Sequence, residues 1–159
     1  MARQYVQRGY GFLFVYVREA HPGENYPAHT SLEQKLRHAG AFRDLMSVQR
    51  PILVDDMEGT GHHLYGALPN MTYIVNRAGT IIFRSDWTDP PTIQAALDYF
   101  LAAREKRREG MRLTSFYAEI QGYRWNDPEQ FMAGLQRNGP LAVEDFRNMS
   151  QRRGGGRAE

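Results

Sequence analysis

Glu19 and His21 stand two residues apart, just beyond the longest β-prone apolar run of the chain, residues 10–17. A carboxylate and an imidazole at that spacing are the raw material of an acid–base pair. Histidine titrates near neutral pH, and a carboxylate can orient it or take its proton. The plainer reading is a loop histidine held by a neighbouring carboxylate. With no nucleophile beside the pair, that reading is preferred. A second polar cluster gathers His62 and His63 with Asp55, Asp56 and Glu58. Adjacent histidines point to different sides of most backbones, and the chain has no His-x-x-x-His spacing. The cluster therefore reads as a polar helix start, and no metal site is expected. His29 and His38 read as surface residues flanking or on a helix. Gly59-Thr60-Gly61 lacks the Gly-Lys-Ser/Thr that would make it a phosphate loop. No cofactor is expected.

The absence of cysteine in 159 residues narrows the chemistry further. It removes disulfides, thiolate metal sites and a cysteine nucleophile from within this chain. Apolar residues make up 42% and charged residues 24%, the balance of an ordinary globular protein. The formal charge is only +2. Basic residues cluster at Arg104 and Lys106–Arg108, and again at Arg152, Arg153 and Arg157. Such clusters read as solvated helix ends and tail rather than a nucleic-acid surface. No stretch approaches the ~20 apolar residues of a membrane-spanning helix. The run at 10–17 ends in Arg18-Glu19 without a cleavage-site pattern, so a cytoplasmic protein is expected.

The elements that position these residues follow from periodicity and punctuation. Residues 3–8 read as the end of a helix closed by Gly9. Residues 10–17 read as a strand apolar on both faces, hence buried on both sides. Pro22, Gly23, Asn25 and Pro27 make a loop. Thr30-Ser31-Leu32-Glu33 reads as a capping box opening a helix to about Met46, with Leu32, Leu36, Ala39, Phe42, Leu45 and Met46 on its apolar face. A strand at 52–54 and a helical turn at 60–65 come next. A hairpin follows, with strands at 71–75 and 80–84 around Asn76-Arg77-Ala78-Gly79. Asp89-Pro90 opens a helix over 90–108. Beyond Gly110 the pattern predicts helices at 114–122, from 128 to about 137, and at 141–149. Residues 151–159 read as a disordered tail.

The order strand, helix, strand, hairpin, helix resembles the latter part of a thioredoxin-like fold. The segments FLFVYVREAHP at 12–22 and YGALPNMTYIVNRAG at 65–79, with Asp55-Asp56 and Asp86-Trp87, resemble the iodothyronine deiodinase family and its bacterial peroxiredoxin-like relatives. The resemblance covers about residues 3–108; GYRWND at 122–127 resembles, less specifically, the tail of the bacterial members. It implies an α/β protein with a thioredoxin-like mixed sheet and flanking helices over 1–110, and a C-terminal helical extension over 111–150. It implies that Pro69 is the cis-proline of such folds, and that Glu19 and His21 correspond to the glutamate and histidine near the reaction centre.

The departure from the family is as informative. Its members carry a first strand and a turn with cysteine or selenocysteine, and this chain shows neither. The expected consequence is an exposed strand edge. Three solutions exist: direct pairing of the two strands, an edge covered by a protein partner or a second copy, or a chain that is a truncated form of a longer one. Two functions follow. One is a non-catalytic accessory subunit that works by protein–protein binding, with Tyr117, Tyr123 and Trp125 as candidate partner contacts. The alternative is a thiol or selenol oxidoreductase whose nucleophile-bearing element is missing from this chain. The first is preferred. Third is a non-thiol enzyme using Glu19 and His21.

Overall fold

The computed structural model describes residues 1–123 and 127–154. Its elements are α1 (Ala2–Val6), β1 (Phe14–Tyr16), α2 (Leu32–Leu45), β2 (Ile52–Val54), α3 (Thr60–Tyr65), β3 (Thr72–Val75), β4 (Ile81–Ser85), α4 (Pro90–Arg108), α5 (Pro128–Asn138) and α6 (Pro140–Gly154). The protein is mixed α/β. Its chain divides into two units: one from residues 1–12 and 70–125, the other from 13–69 and 126–159.

The first unit is built on the hairpin and α4. Asn76 Oδ1 accepts from the amides of Ala78 and Thr80, both at 2.9 Å. Gly79 takes the positive φ, +84°, that closes the turn. β3 and β4 then pair antiparallel, Thr72 opposite Ser85 and Ile74 opposite Phe83. Asp89 caps α4 by accepting from the Thr92 amide at 3.0 Å, with proline in the first turn. The stripe Ile93, Leu97 and Leu101 is buried against Ile74 and Tyr5. Tyr5 is fully enclosed, and its hydroxyl donates to Asp98 Oδ1 at 2.7 Å. That bond satisfies a polar tip which burial would otherwise penalise.

The second unit is a β1–α2–β2 crossover with α3, α5 and α6. β1 and β2 are parallel, Phe14 opposite Ile52 and Tyr16 opposite Val54. α2 lays Phe42 on this sheet, 5.8 Å from the Phe14 ring and 6.2 Å from the Tyr16 ring. Leu135 and Ala142 are buried in the helices at the C-terminal end.

Several expectations are corrected. Residues 10–17 are not one strand. Tyr10 and Phe12 pack on the core of the first unit, and β1 proper is only Phe14–Tyr16. Its length is set by its partner, since Pro51 and Asp55 bound β2 at three residues. Nor is it buried on both sides: Val15 and its partner Leu53 are 49% and 54% exposed. The strands form two two-stranded sheets, and among the described residues no ladder joins them into one mixed sheet.

The cap of α2 is shifted by one residue. Ser31 Oγ accepts from the Gln34 amide at 3.2 Å, and Gln34 Oε1 accepts from the Thr30 amide at 2.8 Å. Glu33 instead pairs with Arg37, one turn on, at 2.7 Å. A three-residue sheet covers little of a fourteen-residue helix, so α2 buries Lys35 and Ala39 and leaves Leu32, Leu36, Leu45 and Met46 about half exposed.

The Leu68–Pro69 bond is trans, because the described residues contain no cis peptide. Trans is the default of the X–Pro amide. Residues 114–122 form no helix. α6 continues to Gly154, into the stretch expected to be tail. Among the described residues, no helix is long and apolar enough to cross a membrane.

Candidate functional site

Glu19 and His21 leave β1 in different directions. Among the described residues no bond links them. His21 Nδ1 lies 3.0 Å from Asp145 Oδ2 on α6, and its ring meets Phe131 and Phe146 edge-on at 6.4 and 5.4 Å. The carboxylate that holds this loop histidine is Asp145 and not Glu19.

The loop holding His21 is tied down by the corner between α5 and α6. Asn138 Nδ2 donates to the His21 carbonyl at 2.8 Å, and its Oδ1 accepts from the Tyr26 amide at 2.7 Å. Asn25 Nδ2 donates to the Arg137 carbonyl at 2.7 Å, and the Leu141 amide donates to Glu24 at 3.1 Å. Gly23 is required here. A side chain at this position would meet the Asn138 carbonyl oxygen at 2.5 Å.

Glu19 turns the other way, toward two histidines that the sequence reading had placed on the surface. Its carboxylate accepts from the Tyr16 hydroxyl. Glu19 Oε1 is 3.7 Å from His29 Nε2 and 3.7 Å from His38 Nδ1. The three residues come from three places: the end of β1, the loop before α2, and the middle of α2. The His29 and His38 side chains are only 6% and 12% exposed. Among the described residues, His29 Nε2 and His38 Nδ1 are buried without a hydrogen-bond partner. At 3.7 Å they are too far from the carboxylate for one. Burial, with His38 and Lys35 nearby, holds the His29 imidazole below its ordinary pKa and so favours its neutral form. Burial and the Glu19 carboxylate push the Tyr16 phenol up, which keeps it a donor.

One donor atom from each of Glu19, His29 and His38 lies within 4.8 Å of the other two. Two imidazole nitrogens and a carboxylate oxygen are donor types suited to a borderline divalent cation. The signal in the sequence was weak. His29 and His38 are nine residues apart with a helix start between them, a spacing no short motif captures. Only the crossover returning α2 over β1 brings them to Glu19.

Beside this cluster lies a cavity of about 500 Å³, lined by Glu19 and His29 and also by Arg18, Lys35, His62 and His63. Lys35 is 3% exposed and its ammonium donates to the Asp56 carbonyl at 2.7 Å. Asp55 receives the Gly61 and His62 amides at 2.9 Å each, which makes Asp55-Asp56 the anchor of α3. Arg18 Nε donates to His62 Nε2 at 3.4 Å. Burial and the Arg18 charge hold His62 below its ordinary pKa.

The candidate partner residues lie elsewhere. Tyr117 and Tyr123 are each 86% exposed, and Phe116 and Ile120 beside them are 80% and 87% exposed. Trp125 lies outside the described residues. No protein-family model matches the chain, and no solved structure gives a significant match.

Proposed function

We infer that this chain is an accessory subunit that works by protein–protein binding, not by thiol or selenol turnover. The observation that carries this is the segment 111–123. It has no regular secondary structure and presents Phe116, Tyr117, Ile120 and Tyr123 to solvent. With Leu113 these residues recur at i, i+3, i+4, i+7 and i+10, one face of a helix that the isolated chain does not form. A segment patterned this way folds as it seats its apolar face in a partner's groove. Large aromatics are the usual anchors of such contacts. Arg107, Arg108 and Arg112 sit at its start, so the fitting partner is a protein with an apolar groove and an acidic rim at one end.

Two further observations support the reading. Each strand is paired on one side only among the described residues, which leaves edges for a partner or a second copy to cover. His21 is held by Asp145 rather than by Glu19, so Glu19 and His21 do not form the pair that a non-thiol enzyme would use. Descent from a deiodinase-like or peroxiredoxin-like thioredoxin fold belongs to the same proposal. The motifs at 12–22 and 65–79 and the element order β1–α2–β2–α3–β3–β4–α4 support it.

The test is isolation of the tagged full chain from its native source, beside the double variant Phe116→Asp/Ile120→Asp. The expected result is one partner at fixed stoichiometry with the wild type, lost in a variant that keeps its circular dichroism. A variant that retains the partner, or a wild type that remains a lone monomer, overturns the reading.

A further inference from the structure

We propose that Glu19, His29 and His38 form a divalent-cation site of the two-histidine, one-carboxylate type. The inference is independent of the partner reading and uses the other unit of the chain.

The first argument is geometric. Ligand atoms held 2.0–2.2 Å from a tetrahedral ion lie roughly 3.3–3.6 Å from one another. Glu19 Oε1 stands 3.7 Å from both His29 Nε2 and His38 Nδ1. Those separations are too long for hydrogen bonds and a few tenths of an ångström from an ion's coordination edge. Small side-chain rotations close that gap.

The second argument is the orphaned nitrogens. A buried polar atom without a partner is destabilising, and native folds tolerate few of them. Here two fall in one cluster, on His29 and His38, and both face the same carboxylate. A cation satisfies both at once and neutralises the Glu19 charge.

The third argument is the surrounding shell. The Tyr16 hydroxyl donates to the Glu19 carboxylate and orients it, as outer partners do for ligating carboxylates. The Tyr16 ring lies 5.7 Å from that of His29, and the Tyr26 ring 5.3 Å from that of His38. Both imidazoles are thus walled by aromatics. Glu19 and His29 also line the cavity of about 500 Å³, which gives an ion a way in and leaves a coordination position for water or a small ligand.

The donor set selects the ion by chemistry. Imidazole nitrogen suits zinc, iron, cobalt and nickel, whereas magnesium and calcium prefer all-oxygen shells. With no thiolate in the chain the site is not a soft one.

The experiment uses the full chain stripped with chelator and titrated with Zn(II) by calorimetry, and with Co(II) by visible absorption. The expected result is one ion per chain, reversed by chelator, with the His29 and His38 ring resonances shifted by Zn(II). Loss of a mere outer-shell partner weakens metal sites about 10–100-fold. His38→Gln and Glu19→Gln, which remove ligands, should each weaken binding by about 100-fold or more. The His62→Gln/His63→Gln double variant, which alters the same cavity outside the cluster, should bind as the wild type does. No saturable Zn(II) binding, or binding that survives Glu19→Gln and fails in the His62/His63 variant, overturns the proposal. Should a variant fail to fold by circular dichroism, the ring shifts of the wild type decide alone: unshifted His29 and His38 resonances under saturating Zn(II) refute it.

Discussion

At the scale of residues, the second unit depends on side chains that each satisfy several backbone groups. Asn138 is the clearest. Its amide bonds the His21 carbonyl and the Tyr26 amide across more than a hundred residues of sequence. Asn138→Ala leaves both partners short of a bond and should destabilise the protein by about 1–3 kcal/mol, read from the urea midpoint. His62 gives a pH prediction. Its folded pKa is depressed, first by burial and then by Arg18 and His63, with Asp55 acting the other way. As pH falls below the ordinary histidine value near 6.5, the unfolded chain takes up this proton first. The fold therefore loses stability from about pH 6.5 downward and holds the full contribution above it. His29 is shifted in the same direction, so His62→Gln should reduce the slope of stability between pH 7.5 and 5.5 without abolishing it. An unchanged slope would remove His62 from the account.

At the scale of elements, local signals were legible and long-range ones were not. The Asp89-Pro90 cap and the Asn76–Gly79 turn follow from residues adjacent in sequence, and the structure has them as expected. Asp89→Ala should cost about 1 kcal/mol of stability, because the Thr92 amide loses its acceptor. Where a feature depends on what lies opposite, the sequence misled. The continuous apolar run of 10–17 carries no sign that β2 stops after three residues, nor that Tyr10 and Phe12 belong to another unit. The apolar positions of α2 are real, yet four of the six face away because the sheet beneath is too small. The same blindness hid the candidate metal site. Glu19 was legible as a chemical residue, but its partners His29 and His38 are set by the crossover and not by spacing.

At the scale of the whole molecule, the protein leaves much apolar surface unused. In one unit Val15 and Leu53 on the β1–β2 sheet and Leu32 and Leu36 on α2 are exposed; in the other, Phe116, Tyr117, Ile120 and Tyr123 are. Large apolar side chains exposed along one short segment, as at 116–123, mark an interaction site. If segment 111–123 is the principal contact, it is unprotected in the free chain and folds when bound. Hydrogen exchange of the amides of residues 113–123, followed in the isolated chain and in its complex, tests that claim most directly. The account predicts exchange near the unfolded rate in the free chain and strong protection in the complex, with the α4 amides protected in both. Protection of 113–123 already present in the isolated monomer would show the segment packed on its own chain, and would contradict the account.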